Sequence, residues 1–169
     1  LEREELDLAE ALVDWIDAFE ALPSAGERQI ELHLSGQPVW IRADPDKVKQ
    51  ALINLVSNAC EAAPKGESVR VHLDNNEDVS HVEVRNNGTP IPPEQLPRLT
   101  EPFFTTKQSG TGLGLAIVKR IMDAHEGLLS VTSSATAGTR VALSFPGRAG
   151  AARSGTDGRT RAPASSYRD

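Results

Sequence analysis

The segment that begins at Asp44 constrains the fold most strongly, because it carries every signal of an amphipathic helix. Asp44 and Pro45 supply an N-cap residue followed by proline at the first helical position. Apolar residues then recur at the spacing of one buried stripe, and Pro64 and Gly66 end the pattern. The stripe consists of Val48, Ala51, Leu52, Leu55, Val56 and Ala59. The pattern predicts a helix of about five turns with one face on a core.

Further helical and alternating patterns flank this helix. Residues 6–22 and about 112–126 have helical spacing, the second segment with Gly127 as its C-cap. The alternating segments are 29–34, 39–42, 69–73, 82–84, 128–133 and 139–145. We expect the first two to form a strand pair and the next two to form a hairpin. The order of elements predicts an α/β two-layer sandwich, with helices on one face of a mixed or antiparallel sheet.

Length and charge set the class of protein. The chain has 169 residues, which suits one domain, and its net charge of −6 disfavours nucleic acid as a partner. Cys60 is the only cysteine, so no intramolecular disulfide can form and a reducing, cytoplasmic location is expected for this segment, while the whole protein could be anchored in a membrane. No apolar run reaches the length of a membrane span. Residues 147–169 carry five arginines and almost no large apolar side chain, which is typical of a flexible tail or linker.

A long irregular segment follows the predicted hairpin. Periodicity is lost after Asn86 for roughly two dozen proline-rich residues, and loops of this length are usually functional. The segment ends in SGTGLGL, Ser109 to Leu115, which opens a helix. Glycines allow close backbone approach, and the N–H groups of a helix start favour an anion such as a triphosphate. The spacing matches neither the dinucleotide fingerprint nor the P-loop, so the cluster alone is weak evidence.

Two amides lie four residues apart on the predicted helix after Asp44. Asn54 and Asn58 share a face beside the apolar stripe, with Glu61 three residues further on. Paired amides supply donors and acceptors without net charge, which suits a hydrated Mg²⁺ and phosphate oxygens. Solvated surface side chains would show the same spacing, and Asn87-Gly88 likewise is a turn signal by itself.

Taken together, five segments resemble in order and spacing the catalytic ATP-binding domain of sensor histidine kinases, a family grouped with gyrase B, the Hsp90 chaperones and MutL-type ATPases. They are NLVSNACEAA (54–63), NNGTPIPPE (86–94), EPFFTTK (101–107), GTGLGLAIVK (110–119) and AGTRVALSFP (137–146). The resemblance implies the Bergerat-type fold of that family, with ATP between helices and a mobile lid. We expect the ATP-binding domain at 6–146 with the lid at about 88–111, the end of an upstream segment at 1–5, and the tail at 147–169.

The resemblance also implies roles for single residues. Asn58 would coordinate Mg²⁺, Asn54 would orient the γ-phosphate, and Lys107 would reach the phosphates. Asn86 and Gly88 occupy the adenine motif, with Thr139 assisting at the adenine end. Phe103 and Phe104 belong to the aromatic motif of the lid. The cradle around the phosphates would consist of Gly110, Thr111, Gly112, Leu113 and Gly114.

Two positions depart from the family pattern. Asn86 stands where the adenine motif has Asp, and Pro90 stands where it has a second glycine. An amide oxygen still accepts a hydrogen bond, but a neutral bond contributes about 0.5–1.5 kcal/mol against roughly 1.5–3 kcal/mol for a charged one. We therefore expect ATP affinity to fall by about tenfold or more, and base selection to loosen.

The leading hypothesis is transfer of the ATP γ-phosphoryl to a histidine on a dimerisation hairpin of the same protein, with a response regulator downstream. His33, His72 and His81 lie on predicted strands, and His125 lies at a helix end where a cation would complement the dipole. None has the context of a phosphoacceptor, so we expect that histidine in a preceding part of the protein. A degenerate nucleotide-sensing or protein-binding module and an anti-sigma-type serine kinase remain alternatives.

Overall fold

Helices and strands alternate along the part of the chain that the computed structural model describes, namely residues 1–76, 78–102 and 114–146. The helices are α1 (Leu8–Glu20), α2 (Pro45–Ala62) and α3 (Gly114–Ala124), with a short 3-10 helix at Pro93–Arg98. The strands are β1 (Glu4–Asp7), β2 (Gln29–His33), β3 (Trp40–Ala43), β4 (Ser68–Asn75), β5 (Val79–Asn86), β6 (Leu128–Ser134) and β7 (Gly138–Pro146).

Five of these strands form the main sheet, in the order β2-β4-β5-β7-β6. The β2–β4 pair is parallel and the other three pairs are antiparallel. Alternate residues of β4 and β5 are buried, among them Val69, Val71, Val82 and Val84. They join the apolar faces of the helices in one core. The predicted two-layer sandwich, with a mixed and mostly antiparallel sheet, is confirmed.

Helix α2 begins as the sequence predicts. Asp44 has extended backbone angles, and its carboxylate accepts hydrogen bonds from the N–H groups of Asp46 and Lys47. The other carboxylate oxygen accepts the N–H of Glu2 at 2.9 Å. Every member of the predicted stripe is buried. The local signals are sufficient here because the cap and the stripe are properties of one short segment.

The predicted pairing of 29–34 with 39–42 is wrong. β2 pairs with β4, whereas β3 pairs with β1, which occupies residues predicted as an upstream end and a helix start. Asp7 redirects the chain here, because its carboxylate accepts both the N–H of Ala9, as the N-cap of α1, and the N–H of Val39. Adjacent position in the sequence therefore did not determine which strands pair.

The end of α3 also differs from the prediction. The residue in the left-handed region is Glu126, with φ 61°, and not Gly127. The N–H of Gly127 donates to the carbonyl of Met122 at 2.8 Å. A Cβ on Gly127 would overlap the carbonyl oxygen of Ser144 on β7. Glycine is thus required at this position by close packing against the sheet.

Candidate functional site

The two amides of α2 lie at the border of its buried face. Asn54 and Asn58 are half-buried, one turn apart, while Leu55 and Ala59 beside them are in the core. A Cβ on Gly114, the first residue of α3, would lie 3.6 Å from Nδ2 of Asn58. Since the first N–H groups of a helix have no partner within it, this places a helix start beside the amide of Asn58.

Asn86 ends β5 with its side chain inside the protein. The residue is only 4% exposed, and its Nδ2 has no hydrogen-bond partner among the residues that the structure describes. Buried polar atoms are paired in the great majority of cases. An unpaired buried donor at the end of a strand is therefore a candidate contact for a ligand that supplies the acceptor.

The loop that leaves β5 crosses the C-terminal end of α2 at Gly88. A Cβ on Gly88 would overlap the carbonyl oxygen of Ala62 and would lie 2.9 Å from Nδ2 of Asn86. No residue other than glycine fits between the loop and the helix without a shift of backbone. Because Ala62 lies four residues after Asn58, the loop crosses α2 about one helical turn beyond Asn58.

The start of β7 forms another wall of the same region. Thr139 is opposite Asn86 in the β5–β7 register and is 7% exposed. Gly138 has φ 74°, and a Cβ there would overlap the carbonyl oxygen of Asn86. Two close-packed glycines and a small hydroxyl residue thus lie beside Asn86.

A hydroxyl pair fixes this wall to the loop after β5. Oγ of Ser133 lies 2.8 Å from Oγ1 of Thr139 and accepts the N–H of Ile91 at 2.8 Å. Ser133 is a residue of this region that no sequence motif indicated. Nothing in its local pattern distinguishes it from the other polar residues of β6, because its role depends on a partner 42 residues away in the chain.

The structure thus brings together four regions of the predicted site that come from different elements. These are Asn54 and Asn58 on α2, Asn86 and Gly88 after β5, Thr139 on β7, and Gly114 at the start of α3. The other predicted site residues lie outside the described part of the chain. They are Phe103, Phe104, Lys107, Gly110, Thr111, Gly112 and Leu113.

The four histidines are engaged elsewhere in the fold. His33 and His72 stack with ring centroids 4.3 Å apart, and His81 hydrogen-bonds to Ser144. Burial, with the positive charge of Arg85, lowers the pKa of His72 to about 4.

His125 does not act as the predicted cation at a helix end. It is 3% exposed, and its Nε2 accepts the N–H of Asp44 at 3.0 Å. Nδ1 must then donate to the carbonyl of Ile121, 2.8 Å away. A ring that accepts at one nitrogen and donates at the other is the uncharged tautomer. His125 therefore joins the end of α3 to the start of α2.

Two further ionisable groups have shifted pKa values for structural reasons. Hydrogen bonds from Ser68 and His33 lower the pKa of Glu31 on the sheet. Burial raises the pKa of the Cys60 thiol on α2. Cys60 is therefore a core residue rather than a nucleophile.

Residues 43–149 match the family model described as histidine kinase-, DNA gyrase B-, and HSP90-like ATPase. The chain belongs to this ATPase family. The match includes every element that contributes to the candidate site, from α2 to β7. The resemblance recognised in the sequence is confirmed.

Relatives and solved structures agree with this ATPase assignment. The chain is 41% identical over 151 residues to the sensor histidine kinase CusS of Escherichia coli K12, which covers 86% of the chain and 31% of CusS. It is 41% identical over 108 residues to sporulation kinase A of Bacillus subtilis, covering 64% of the chain and 18% of that protein. The catalytic domain of the histidine kinase ThkA superposes with a TM-score of 0.78 at 31% identity, covering 87% of the chain and 97% of ThkA.

The chain spans about a third or less of the length of these curated relatives. By contrast, it matches nearly all of the catalytic domain of ThkA. Among the described residues, no helix has both the length and the apolar character needed to cross a bilayer.

Proposed function

We propose that this chain is the catalytic ATP-binding domain of a sensor histidine kinase, and that it binds Mg·ATP between α2, the end of β5, the start of β7 and the start of α3. The observation that carries the proposal is the buried, unpaired Nδ2 of Asn86 beside the glycines that line its surroundings. Gly88 and Gly138 pack directly against backbone, at Ala62 and at Asn86 respectively, and so fix the position of this amide.

The residues of α2 suit the phosphate end of such a ligand. Asn58 would contribute its amide oxygen to Mg²⁺, and Asn54, one turn earlier, would orient the terminal phosphate. Amide oxygens are ordinary ligands of this hard cation, which keeps several waters and the phosphate oxygens as its other ligands. Bound Mg²⁺ would neutralise charge on the phosphates during transfer.

The start of α3 would complete the phosphate end. Unpaired N–H groups at a helix start attract anions, and Gly114 lies against Asn58. The resemblance adds Lys107 as a cation for the phosphates, the cradle residues Gly110, Thr111, Gly112 and Leu113, and the lid aromatics Phe103 and Phe104. With these groups, catalysis would consist mainly of positioning and charge stabilisation, as phosphoryl transfer requires.

The proposed acceptor is a histidine on a dimerisation hairpin of the same protein, with a response regulator as the next acceptor. The described histidines support an acceptor elsewhere, since His125 is buried and His72 stacks on His33 on the sheet. The names of the relatives, which are sensor histidine kinases and a sporulation kinase, favour the same reaction.

Calorimetric titration with Mg²⁺ and the unreactive analogue AMPPNP tests the proposal. Binding is expected in Mg²⁺ buffer, with an affinity at least tenfold weaker in EDTA because Asn58 would hold the cation that neutralises the phosphates. Asn58→Ala should weaken binding by at least tenfold in Mg²⁺ and have little further effect in EDTA. Asn75→Ala is the matched control, since Asn75 is an exposed asparagine at the far end of β4.

The proposal fails if the wild-type chain binds no nucleotide and Asn86→Asp does not create binding. It also fails if Asn58→Ala and Asn75→Ala bind equally well in Mg²⁺. Circular dichroism of each variant confirms that a loss of binding is not a loss of fold.

A further inference from the structure

The amide of Asn86 gives the base pocket a hydrogen-bond donor. Nδ2 is buried, faces the loop at Gly88 and has no acceptor among the described residues. A carboxylate at this position would only accept hydrogen bonds, whereas a primary amide presents a donor and an acceptor side by side. The difference matters because the two common purines differ at position 6, where adenine has an amino donor and guanine an oxygen acceptor.

The amide can form two hydrogen bonds with either purine. With Oδ1 toward position 6, it accepts from the 6-amino group of adenine and donates from Nδ2 to N1. Turned by 180° about its last torsion, it donates to the 6-oxygen of guanine and accepts from N1–H. The two orientations have nearly the same shape, and this terminal torsion has a broad, two-fold preference.

The surroundings of Asn86 permit this turn. Gly88 lies beside Nδ2, and Thr139 across the ladder is a small residue whose hydroxyl is paired with Ser133. Neither the loop glycine nor the paired hydroxyl carries a charge. The carbonyl of Ala62 lies at the C-terminal end of α2, where helix carbonyls have no partner within the helix.

We propose that Asn86 makes the nucleotide pocket accept both 6-oxopurine and 6-aminopurine triphosphates, so that guanosine and inosine nucleotides bind with affinities similar to that of ATP. The inference rests on the proposed function, since it concerns the base end of the same nucleotide site. It identifies Asn86 as a specificity-determining residue and extends the substrate class from adenine nucleotides to purine nucleotides.

Calorimetry on the whole chain with Mg²⁺ and the unreactive analogues AMPPNP and GMPPNP measures the preference directly. The wild-type dissociation constants are expected to agree within about fivefold, because a hydrogen-bonded pair forms with either base. Asn86→Asp should shift the ratio by at least tenfold toward adenine, since the carboxylate accepts from an amino group and repels a 6-oxygen. Asn75→Asp, which adds the same charge at the far end of the hairpin, should leave the ratio unchanged.

A second measurement needs no variant. The triphosphate of purine riboside, which lacks any group at position 6, should bind wild-type protein about tenfold more weakly than ATP and inosine triphosphate, and those two should bind alike. This comparison holds even if Asn86→Asp does not fold.

The possible results separate the two proposals. Binding of AMPPNP with a preference of more than thirtyfold over GMPPNP overturns the dual recognition and leaves the ATP site in place. Equal binding of purine riboside triphosphate also overturns it, because position 6 would then make no contact. If neither analogue binds the wild-type chain or Asn86→Asp, the proposed function and this inference both fail.

Discussion

At the scale of single residues, Gly88 is the position in the candidate site that is least tolerant of a side chain. A Cβ there would overlap the backbone of α2 at Ala62, so Gly88→Ala must move the loop away from the helix. The expected cost is about 1–3 kcal/mol of unfolding free energy, as for other overpacked sites. Nucleotide affinity should fall at least tenfold, because the moved loop also carries the backbone next to Asn86. Urea unfolding and calorimetric titration measure the two effects.

Gly36→Ala is the matched control for this change. Gly36 has φ 90° with no atom near a Cβ, so alanine there costs about 1–2 kcal/mol through backbone strain alone. Its nucleotide affinity should stay at the wild-type value. Wild-type affinity in Gly88→Ala would contradict the position assigned to this loop.

At the scale of elements, His125 holds the start of α2 and the end of α3 together. His125→Ala leaves the buried N–H of Asp44 without its acceptor and removes a ring that packs edge-on against Phe145. We expect the unfolding free energy to drop by about 2–4 kcal/mol. Arg120→Ala, an exposed change on the same helix, should stay within about 0.5 kcal/mol of wild type. Equal urea midpoints for the two variants would show that the bridge contributes nothing.

The same elements show what the sequence could predict. α2 was predicted correctly because its cap, Asp44, and its stripe are local. The β4–β5 hairpin was predicted correctly because a short turn joins alternating strands. The pairings of β2 with β4 and of β1 with β3 depend on contacts between distant segments, which periodicity does not encode.

The candidate site likewise combines residues that the sequence identified with contacts that the sequence could not predict. Asn54 and Asn58 share a face because of helix geometry, and the motif order identified Asn86 and Gly88. Neither helix geometry nor motif order could show that Nδ2 of Asn86 is buried without a partner among the described residues. Nor could they show that Ser133 hydrogen-bonds to both Thr139 and Ile91. Those facts depend on which backbone lies beside each side chain in the folded protein.

At the scale of the whole molecule, His72 on the outer face of the sheet makes the free energy of unfolding depend on pH. The pKa of His72 is about 4 in the folded protein, below its ordinary value, because of burial and the positive charges of Arg85 and His33. Between pH 6.5 and 4 the unfolded chain therefore binds a proton that the folded chain does not. Stability should fall as pH drops through this range, by about 1–2 kcal/mol after allowance for solvent screening.

Urea unfolding at several pH values checks this slope. His72→Gln should flatten the curve between pH 6.5 and 4, while His81→Gln on the same face should keep it because His72 is still present. Asp44 acts in a different range, since hydrogen bonds, chiefly from the N–H of Glu2, lower the pKa of its carboxyl. Its contribution is lost only at lower pH, as the pH falls through that lowered pKa. An unchanged slope in His72→Gln would contradict the assignment.

The parallel pairing of β2 with β4 also governs how the chain can fold during synthesis. The partner of β2 lies about 40 residues further along the chain, so at 5–20 residues per second the ribosome completes it roughly 2 to 8 seconds later. During that interval β2 has apolar Ile30 and Leu32 and an unsatisfied backbone edge. Glu31 and His33 alternate with them, and such charged or polar side chains discourage edge-to-edge association of nascent chains.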